Sequence, residues 1–288
     1  MHTIGFIGLG NMGGPVARAI AARGYAMRVY DVCPETLQGF SSVAAIASSA
    51  VDALNGSDIL FLSLPSTKVV EPIVRALLKA DIQGKIIVDT STSYPLSTRA
   101  LYEEVKEAGG RFADVPLSGV PQQAVEGKLL ALFGGDDDVY ETLKPVVSSF
   151  AGRFAKLGGP GSGHITKLIF NFIALSYVNI YATAFPLTEK MGLDNQQLYE
   201  LLKGTGMGCG TMDFYVPKMI GKTYDMAFAL GLAHKDLSYV KGMFEEYQVP
   251  PFALDGVLEL LRIGIRDGLA QEDYSACIKT MYGFFEGK

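Results

Sequence analysis

A lysine and an asparagine stand four residues apart at the start of the most apolar stretch of the chain. The stretch covers residues 168–185, with Lys167 directly before it and Asn171 inside it. Residues four apart on a helix lie on one face, one turn apart. Polar side chains directed into a cleft from an apolar helix are unfavourable unless they have partners or a chemical role. Both are therefore candidate functional residues, and the alternative for Lys167 is a surface lysine at a helix start.

Three glycines near the beginning of the chain have the spacing of a dinucleotide-binding turn. An apolar run at 3–7 breaks into glycines, and an alanine-rich helical pattern follows. In such a turn the first glycine allows a sharp bend, the second lets the backbone approach a pyrophosphate, and the third lets the helix pack closely on the strand. The helix N-terminus then faces the phosphates. The predicted cofactor-binding residues here are Gly8, Gly10, Asn11, Met12 and Gly13, and the alternative is a turn that binds no ligand.

An aspartate ends the next predicted strand, residues 26–30. Asp31 follows the glycines at the distance, about twenty residues, where a carboxylate binds the ribose hydroxyls and repels a 2′-phosphate. Val32 and Cys33 come next, so no arginine adjoins Asp31 to pair such a phosphate. The pattern favours NAD over NADP, and the alternative is a solvated aspartate in a turn.

Strands and helices alternate through the first half of the chain. Further strands are predicted at 58–65, 85–89, 129–135 and 153–157, with helical spacing at 69–80 and 139–150. This alternation predicts a parallel, doubly wound Rossmann-type sheet covered on both faces. Ligands in such sheets sit beyond the carboxyl ends of the strands. Leu64, Pro65 and the Thr90–Thr92 turn lie at such ends, although turn chemistry alone would account for them.

Two further turns divide the chain. Ser118 and Gly119, in the stretch ADVPLSG, form a polar and open turn where backbone N–H groups and a hydroxyl could hold a carboxylate. GGPGSG at 158–163 is the best linker candidate, and no strand pattern follows it. We therefore predict a dinucleotide-binding Rossmann domain at 1–160. An all-α substrate and oligomerisation domain is predicted at 161–288, beginning with a long interdomain helix.

Composition excludes several classes of function. The 288 residues carry 25 lysines and arginines against 30 aspartates and glutamates, with no basic cluster for a nucleic acid. Three distant cysteines suggest neither disulfides nor a CxxC site, and His2, His164 and His234 have no metal-ligand spacing. A cytoplasmic protein fits best, since the chain starts with the predicted nucleotide strand and leaves no room for a signal peptide.

The apolar stretch at 168–185 is long enough to span a bilayer. It contains Asn171, Ser176 and Asn179, and it is the one such stretch in a chain that otherwise alternates as a soluble α/β protein does. A helix that is apolar all round is also typical of burial inside a protein or a dimer. We predict burial and no membrane contact.

Four motifs together resemble the β-hydroxyacid dehydrogenase family, which includes 3-hydroxyisobutyrate dehydrogenase and tartronate semialdehyde reductase. GFIGLGNMGGPVA is similar to its cofactor signature, DVPLSG to its substrate signature, GSGHITKLIFN to its catalytic signature and HKDL to its C-terminal cofactor motif. The motifs stand in the family's order and cover nearly the whole chain. The resemblance implies an NAD-dependent enzyme, forming a homodimer or homotetramer, that acts on a small 3-hydroxy acid or its semialdehyde.

The resemblance also implies roles for individual residues. Lys167 would be the catalytic acid/base, because a desolvated lysine can accept the hydroxyl proton as hydride leaves. Substrate contacts are implied at Ser118, Gly119, Val120 and Asn171, the first two gripping a carboxylate. Further cofactor contacts are implied at Leu64, Pro65, Thr92 and Lys235. Lys235 and Asp236, being adjacent charges on a helix, have a solvated pair as their alternative.

Two residues depart from the family pattern. Val120 stands where a second glycine is common, and Gln123 replaces a further glycine. If position 120 requires a positive φ, a β-branched residue is unfavourable there, so a changed backbone and a different substrate pocket are expected. Two alternative functions remain. An imine reductase has the same architecture but usually lacks the lysine, and a non-catalytic NAD-binding module would not need one.

Overall fold

In the computed structural model, which describes residues 2–287, a nine-stranded sheet organises the first of two units, Met1–Lys167 and Leu168–Lys288. The strands are β1 Ile4–Ile7, β2 Met27–Tyr30, β3 Ala45–Ile46, β4 Ile59–Leu62, β5 Ile86–Asp89, β6 Arg111–Asp114, β7 Leu117–Ser118, β8 Leu129–Gly134 and β9 Ala151–Gly158. Their order is 3-2-1-4-5-6-8-7, with β9 beside β8. The first six are parallel, whereas β8 runs antiparallel to β6 and β7. The order 3-2-1-4-5-6 is that of dinucleotide-binding folds.

Helices cover both faces of this sheet. They are α1 Gly13–Ala22, α2 Pro34–Gln38, α3 Ala50–Asn55, α4 Thr67–Leu77, α5 Pro95–Glu107, α6 Pro121–Val125 and α7 Asp137–Val147. Alternate strand residues enter opposite cores: Phe6 and Phe61 stack on one face with ring centroids 5.9 Å apart, while Ile7 and Leu60 are buried on the other. The predicted doubly wound sheet is confirmed. The sequence patterns do not predict β3, β6 or β7, which are too short or too polar to produce an alternating apolar signal.

The second unit is helical. Helix α8, Ser162–Lys190, begins in the first unit and continues into the second, followed by α9 Asn195–Lys203, α10 Gly210–Ile220, α11 Leu230–Glu246, α12 Phe252–Arg266 and α13 Cys277–Glu286. Two 3₁₀ turns, Leu269–Gln271 and Tyr274–Ala276, connect the last two helices. No strand is found between residues 162 and 287 apart from one isolated bridge, Ala229 with Asp273.

Helix α8 has one buried and one exposed apolar face. Its buried side chains in the second unit are Leu168, Leu175, Val178, Ala182 and Phe185. Its exposed face carries Phe170, Ile173, Tyr177, Ile180, Ala184 and Leu187. By length and composition the helix could cross a membrane. An 18-residue window of it has a mean hydropathy of 1.6, and 28% of that window is buried. Packing against the described residues therefore covers a minority of this window.

Candidate functional site

The three glycines after β1 meet three different surroundings. Gly8 has φ +92°, and a Cβ on it would lie 2.2 Å from the Ser63 carbonyl oxygen. A Cβ on Gly13 would lie 2.0 Å from the Gly8 carbonyl oxygen, so the start of α1 packs directly on the turn. A Cβ on Gly10 would meet no described atom within 4 Å. The first and third glycines are therefore required by the fold, and the open space at Gly10 fits a pyrophosphate against the backbone.

The start of α1 presents backbone groups beside this open space. Met12 occupies the N-cap position and makes no side-chain cap hydrogen bond within residues 2–287, and no acidic residue lies in the first helical turn. Asn11 is exposed and Met12 half-buried. A helix N-terminus without a side-chain cap keeps N–H donors for an anion. The residues present therefore fit the phosphates of a dinucleotide.

Asp31 links the end of β2 to the glycine turn. Its Oδ2 accepts a 2.6 Å hydrogen bond from the Leu9 N–H, and its Oδ1 accepts a 2.8 Å bond from the Cys33 N–H. The Cys33 thiol donates to Glu35, and this bond is the main reason that the pKa of Glu35 is lowered. Each carboxylate oxygen can accept a second hydrogen bond. Two carboxylates thus stand at the end of β2, an arrangement that favours ribose hydroxyls over a 2′-phosphate.

The loops after β4 and β5 are joined by hydrogen bonds. The Thr90 hydroxyl donates to the Leu62 carbonyl oxygen at 2.6 Å, and the Leu64 N–H donates to the Ser91 hydroxyl at 2.9 Å. Leu64 and Thr92 are half-buried, and Pro65 is exposed. The predicted cofactor residues of these loops therefore lie on neighbouring strand ends.

The Ser118–Val120 turn differs from the strained geometry considered for it. The positive φ, +132°, falls on Gly119, whereas Val120 is extended with φ −110°. The Val120 N–H donates to Gln123 Oε1 at 3.0 Å. Because Val120 has an ordinary β conformation, its branched side chain causes no backbone strain, and Gln123 instead fixes the turn at the start of α6.

Lys167 lies in the first turns of α8, in the first unit, where it is half-buried. Asp114, at the end of β6, accepts hydrogen bonds from the Gly161 N–H at 2.7 Å and the His164 N–H at 2.8 Å. This buried carboxylate therefore holds the helix N-terminus from a distant strand. Burial raises the pKa of Asp114, opposed by His164 and the two N–H groups. Asp114 and His164 lie in two of the sequence motifs, but those motifs do not indicate that the two residues form this contact.

Asn171 and Lys235 share one buried carboxylate in the second unit. Asn171 Nδ2 donates to Asp236 Oδ2 at 2.6 Å, and Lys235 Nζ lies 2.9 Å from Asp236 Oδ1. Asp236 is 2% exposed, so the solvated-pair alternative for Lys235 and Asp236 is wrong. Asp236 was missed as a functional partner because its contact with Asn171 spans 65 residues of sequence. The motif HKDL was the only signal for it.

Within residues 2–287, no group of three histidine, cysteine or acidic side chains has an arrangement that could hold a metal ion. Three cysteines are free: Cys33 is exposed, Cys209 half-buried and Cys277 buried.

The strand order and the glycine turn define a dinucleotide-binding protein. A family model described as the NAD binding domain of 6-phosphogluconate dehydrogenase matches residues 3–159. A second, described as the NAD-binding domain of NADP-dependent 3-hydroxyisobutyrate dehydrogenase, matches residues 161–281. The chain belongs to the β-hydroxyacid dehydrogenase family, which confirms the resemblance seen in the four motifs.

Individual relatives match over nearly the whole chain. 2-Hydroxy-3-oxopropionate reductase of Escherichia coli is 29% identical, over 96% of this chain and 96% of its own. 2-(Hydroxymethyl)glutarate dehydrogenase of Eubacterium barkeri is 30% identical, over 96% of this chain and 94% of its own. The structure of Mycobacterium tuberculosis 3-hydroxyisobutyrate dehydrogenase with L-serine superimposes with a TM-score of 0.90 at 25% identity, covering 98% and 99%.

Proposed function

We propose that this protein is an NAD-dependent enzyme that interconverts a small 3-hydroxy acid and its semialdehyde, with Lys167 as the general acid/base. The observation that carries the proposal is the glycine turn, where Gly8 and Gly13 are required by packing and Gly10 borders open space. Family membership supports oxidoreductase chemistry on small hydroxy acids. NAD, when bound, supplies the hydride acceptor for alcohol oxidation and the donor for aldehyde reduction.

Cofactor binding is assigned to residues at the carboxyl ends of β1, β2, β4 and β5. The turn at Gly8–Gly13 and the α1 N-terminus would bind the pyrophosphate, and Asp31 would bind the ribose hydroxyls. Leu64, Pro65 and Thr92 would line the nicotinamide side, because they extend from the next strands of the sheet. Glu35, ionised beside Asp31, adds to the repulsion of a 2′-phosphate and so supports NAD over NADP.

Lys167 would move the proton of the reacting oxygen. In the oxidative direction its neutral amine accepts the hydroxyl proton, and in the reductive direction its ammonium donates to the carbonyl oxygen. Lys167 is half-buried in the first turns of α8, as expected for an acid/base group that contacts a bound substrate.

Ser118 and Gly119 would hold the substrate carboxylate, Val120 would line the substrate pocket, and Asn171 would orient the reacting hydroxyl. The Asn171 Nδ2 is engaged by Asp236, which directs the amide and leaves its carbonyl oxygen as the acceptor for a substrate hydroxyl. Fixing the carboxylate selects which carbon reacts, and positioning of this kind supplies much of an enzyme's rate acceleration.

The first experiment measures initial rates of nicotinamide reduction with a panel of small 3-hydroxy acids, each offered with NAD and with NADP. Turnover with NAD is expected. Lys167→Ala should retain NAD binding and lose about three orders of magnitude in kcat, a typical loss for an acid/base group. The matched control is Lys79→Ala, at an exposed lysine that follows α4. Wild-type turnover in Lys167→Ala would contradict the catalytic role of Lys167, and NAD binding without turnover in the wild type would favour a non-catalytic module.

We also propose that a second copy of this chain covers the exposed face of α8. Its six apolar residues follow each other at alternating spacings of three and four, the heptad pattern of helices that pack against a partner helix. Ser176 Oγ and Asn179 Nδ2, buried on the same helix, have no hydrogen-bond partner within residues 2–287. A self-complementary apolar stripe supports a homodimer, alone or within a tetramer. The three free cysteines support a reducing, cytoplasmic location.

A further inference from the structure

His164 is fully buried three residues before Lys167 and contacts three separate elements of the first unit. Its Nε2 lies 3.1 Å from the Ser91 carbonyl oxygen, in the loop after β5. Its Nδ1 lies 2.8 Å from the Thr98 hydroxyl of α5. Its backbone N–H donates to Asp114 at the end of β6. The helix that carries Lys167 is therefore joined through one side chain to the loop that carries Thr92.

The hydrogen-bond partners constrain the protons on the ring. A carbonyl oxygen only accepts, so Nε2 must carry a proton to bond Ser91. The Thr98 oxygen contacts both Nδ1, at 2.8 Å, and the Tyr94 carbonyl oxygen, at 3.2 Å, and its single proton can be directed to either. When the hydroxyl donates to Tyr94, Nδ1 donates to the Thr98 oxygen, and a ring that donates from both nitrogens is an imidazolium.

Two buried carboxylates provide the countercharge. Asp89 Oδ2 lies 3.7 Å from Nε2, and Asp114 Oδ2 lies 3.8 Å from Nδ1. Asp89 accepts hydrogen bonds from the Ser91 N–H and the Ser93 hydroxyl, and Asp114 accepts from Gly161 and His164. All four carboxylate oxygens therefore accept from protein donors, as ionised groups do. Asp89 from β5 and Asp114 from β6 are the titratable groups that face the ring, while α5 presents the neutral Thr98.

We propose that His164 is a positioning residue, a buried imidazolium that ties the Lys167 helix to the Thr92 loop and lies between the carboxyl groups of Asp89 and Asp114 as their countercharge. The expected effect on kcat rests on the proposed function, whereas the charge of the His164, Asp89 and Asp114 cluster does not. A shift of about 1 Å between catalytic groups lowers rates by about a hundredfold, so loss of this connection should act on kcat. Cofactor affinity should change less, because the glycine turn and Asp31 lie on β1 and β2.

The charge is tested directly by NMR of the full chain labelled with ¹⁵N-histidine. At pH 7 two ring N–H signals are expected for His164, assigned by their loss in His164→Gln, with His2 and His234 as internal references. A single ring N–H signal for His164 would overturn the proposal, because it would identify a neutral imidazole. This measurement needs neither cofactor nor turnover.

The coupling to the carboxylates is tested with His164→Gln and His164→Gln/Asp89→Asn. Glutamine keeps a polar side chain but removes the cation, so the pKa of Asp114, already raised by burial, rises further. Such groups bind protons more tightly when folded, and stability relative to wild type should therefore fall as pH rises from 4 to 8. Asparagine at position 89 removes one uncompensated carboxylate and should recover stability at pH 8.

Kinetics distinguish a positioning role from packing alone. His164→Gln should lower kcat about tenfold to a hundredfold with a smaller change in the Kd of NAD, and Asp89→Asn in that background should restore part of kcat. Wild-type kcat in His164→Gln, or no rescue by Asp89→Asn, would overturn the proposal. Failure of the proposed function would appear differently, as absent turnover in the wild type, and the NMR and pH-stability results would still decide the charge of the cluster.

Discussion

The Leu9 N–H and Asp31 Oδ2 form a 2.6 Å hydrogen bond that joins the glycine turn to the end of β2. The carboxylate assigned to the ribose is thus also part of the scaffold that shapes the pyrophosphate turn. A substitution at Asp31 therefore has two consequences, one for the turn and one for the cofactor, and measurements of stability and of affinity are both required to separate them.

We expect Asp31→Asn to reduce the discrimination between NAD and NADP. The asparagine carbonyl oxygen can still accept from Leu9, so folding should be retained, but the charge that binds ribose and repels a phosphate is lost. NAD affinity should fall about tenfold, the value of one charge-assisted hydrogen bond. Calorimetric titration with both cofactors measures the ratio, and Glu35→Gln measures the separate, smaller contribution expected from the neighbouring carboxylate. An unchanged NAD-to-NADP ratio would remove Asp31 from the cofactor site.

Two alanine substitutions in one turn should separate binding from folding. Gly10→Ala places a Cβ in open space at a residue without positive φ, so thermal stability should stay near wild type while NAD affinity falls about tenfold or more. Gly13→Ala places a Cβ 2.0 Å from a carbonyl oxygen and should destabilise the fold by about 3 kcal/mol. Thermal unfolding and NAD titration check both. Wild-type NAD binding by Gly10→Ala would contradict the pyrophosphate assignment.

Val120→Gly should change substrate preference more than NAD affinity. Val120 follows the Ser118–Gly119 turn, and its unstrained conformation means that glycine relieves nothing and only removes the side chain. Losing one branched apolar group changes the ratio of kcat/KM between two hydroxy acids by about tenfold. Val125→Gly, at an exposed valine that ends the following helix α6, is the control. An equal effect on substrate and NAD would count against a place in the substrate pocket.

Ile180→Asp should weaken self-association. Ile180 is 60% exposed at the middle of the α8 stripe, and a dimer would bury a carboxylate from each copy. Wild-type protein is expected to sediment as a dimer or tetramer, and the variant should raise the dissociation constant about a hundredfold. Val125→Asp adds the same charge in the first unit as a control. A monomeric wild type would contradict the proposed dimer. Binding of that monomer to lipid vesicles would indicate instead that a membrane covers the exposed face of α8.

The sheet and the glycine turn could be predicted because their signals are local. Strand β1, the three glycines and α1 form one continuous stretch, and the apolar runs of β4 and β5 each carry their own pattern. Strand β6 was missed because Arg111 and Asp114 flank only two apolar residues, and burial on both faces depends on neighbouring strands. The sequence raised the possibility of a positive φ at position 120. In the structure the positive φ falls on the preceding residue, Gly119.

The partners of the candidate residues were harder to predict because they come from distant segments. Asp114 reaches His164 across 50 residues, and Asp236 reaches Asn171 across 65. Periodicity identifies which face of an element is apolar, but it does not pair a polar residue on one helix with a carboxylate on another. The motifs containing Asp114 and Asp236 were visible in the sequence, whereas their hydrogen bonds depend on the folded chain.

The carboxylate of Asp236, which contacts one amide group and one ammonium group, has a consequence for how this protein can vary. Because Asn171 and Lys235 both contact Asp236, replacing either one changes the environment of the other through the shared group. Substitutions at the three positions should therefore be non-additive, with interaction energies of about 0.5–3 kcal/mol. The three residues form an epistatic unit, so a lineage that changes one of them is constrained in which replacements it can accept at the other two.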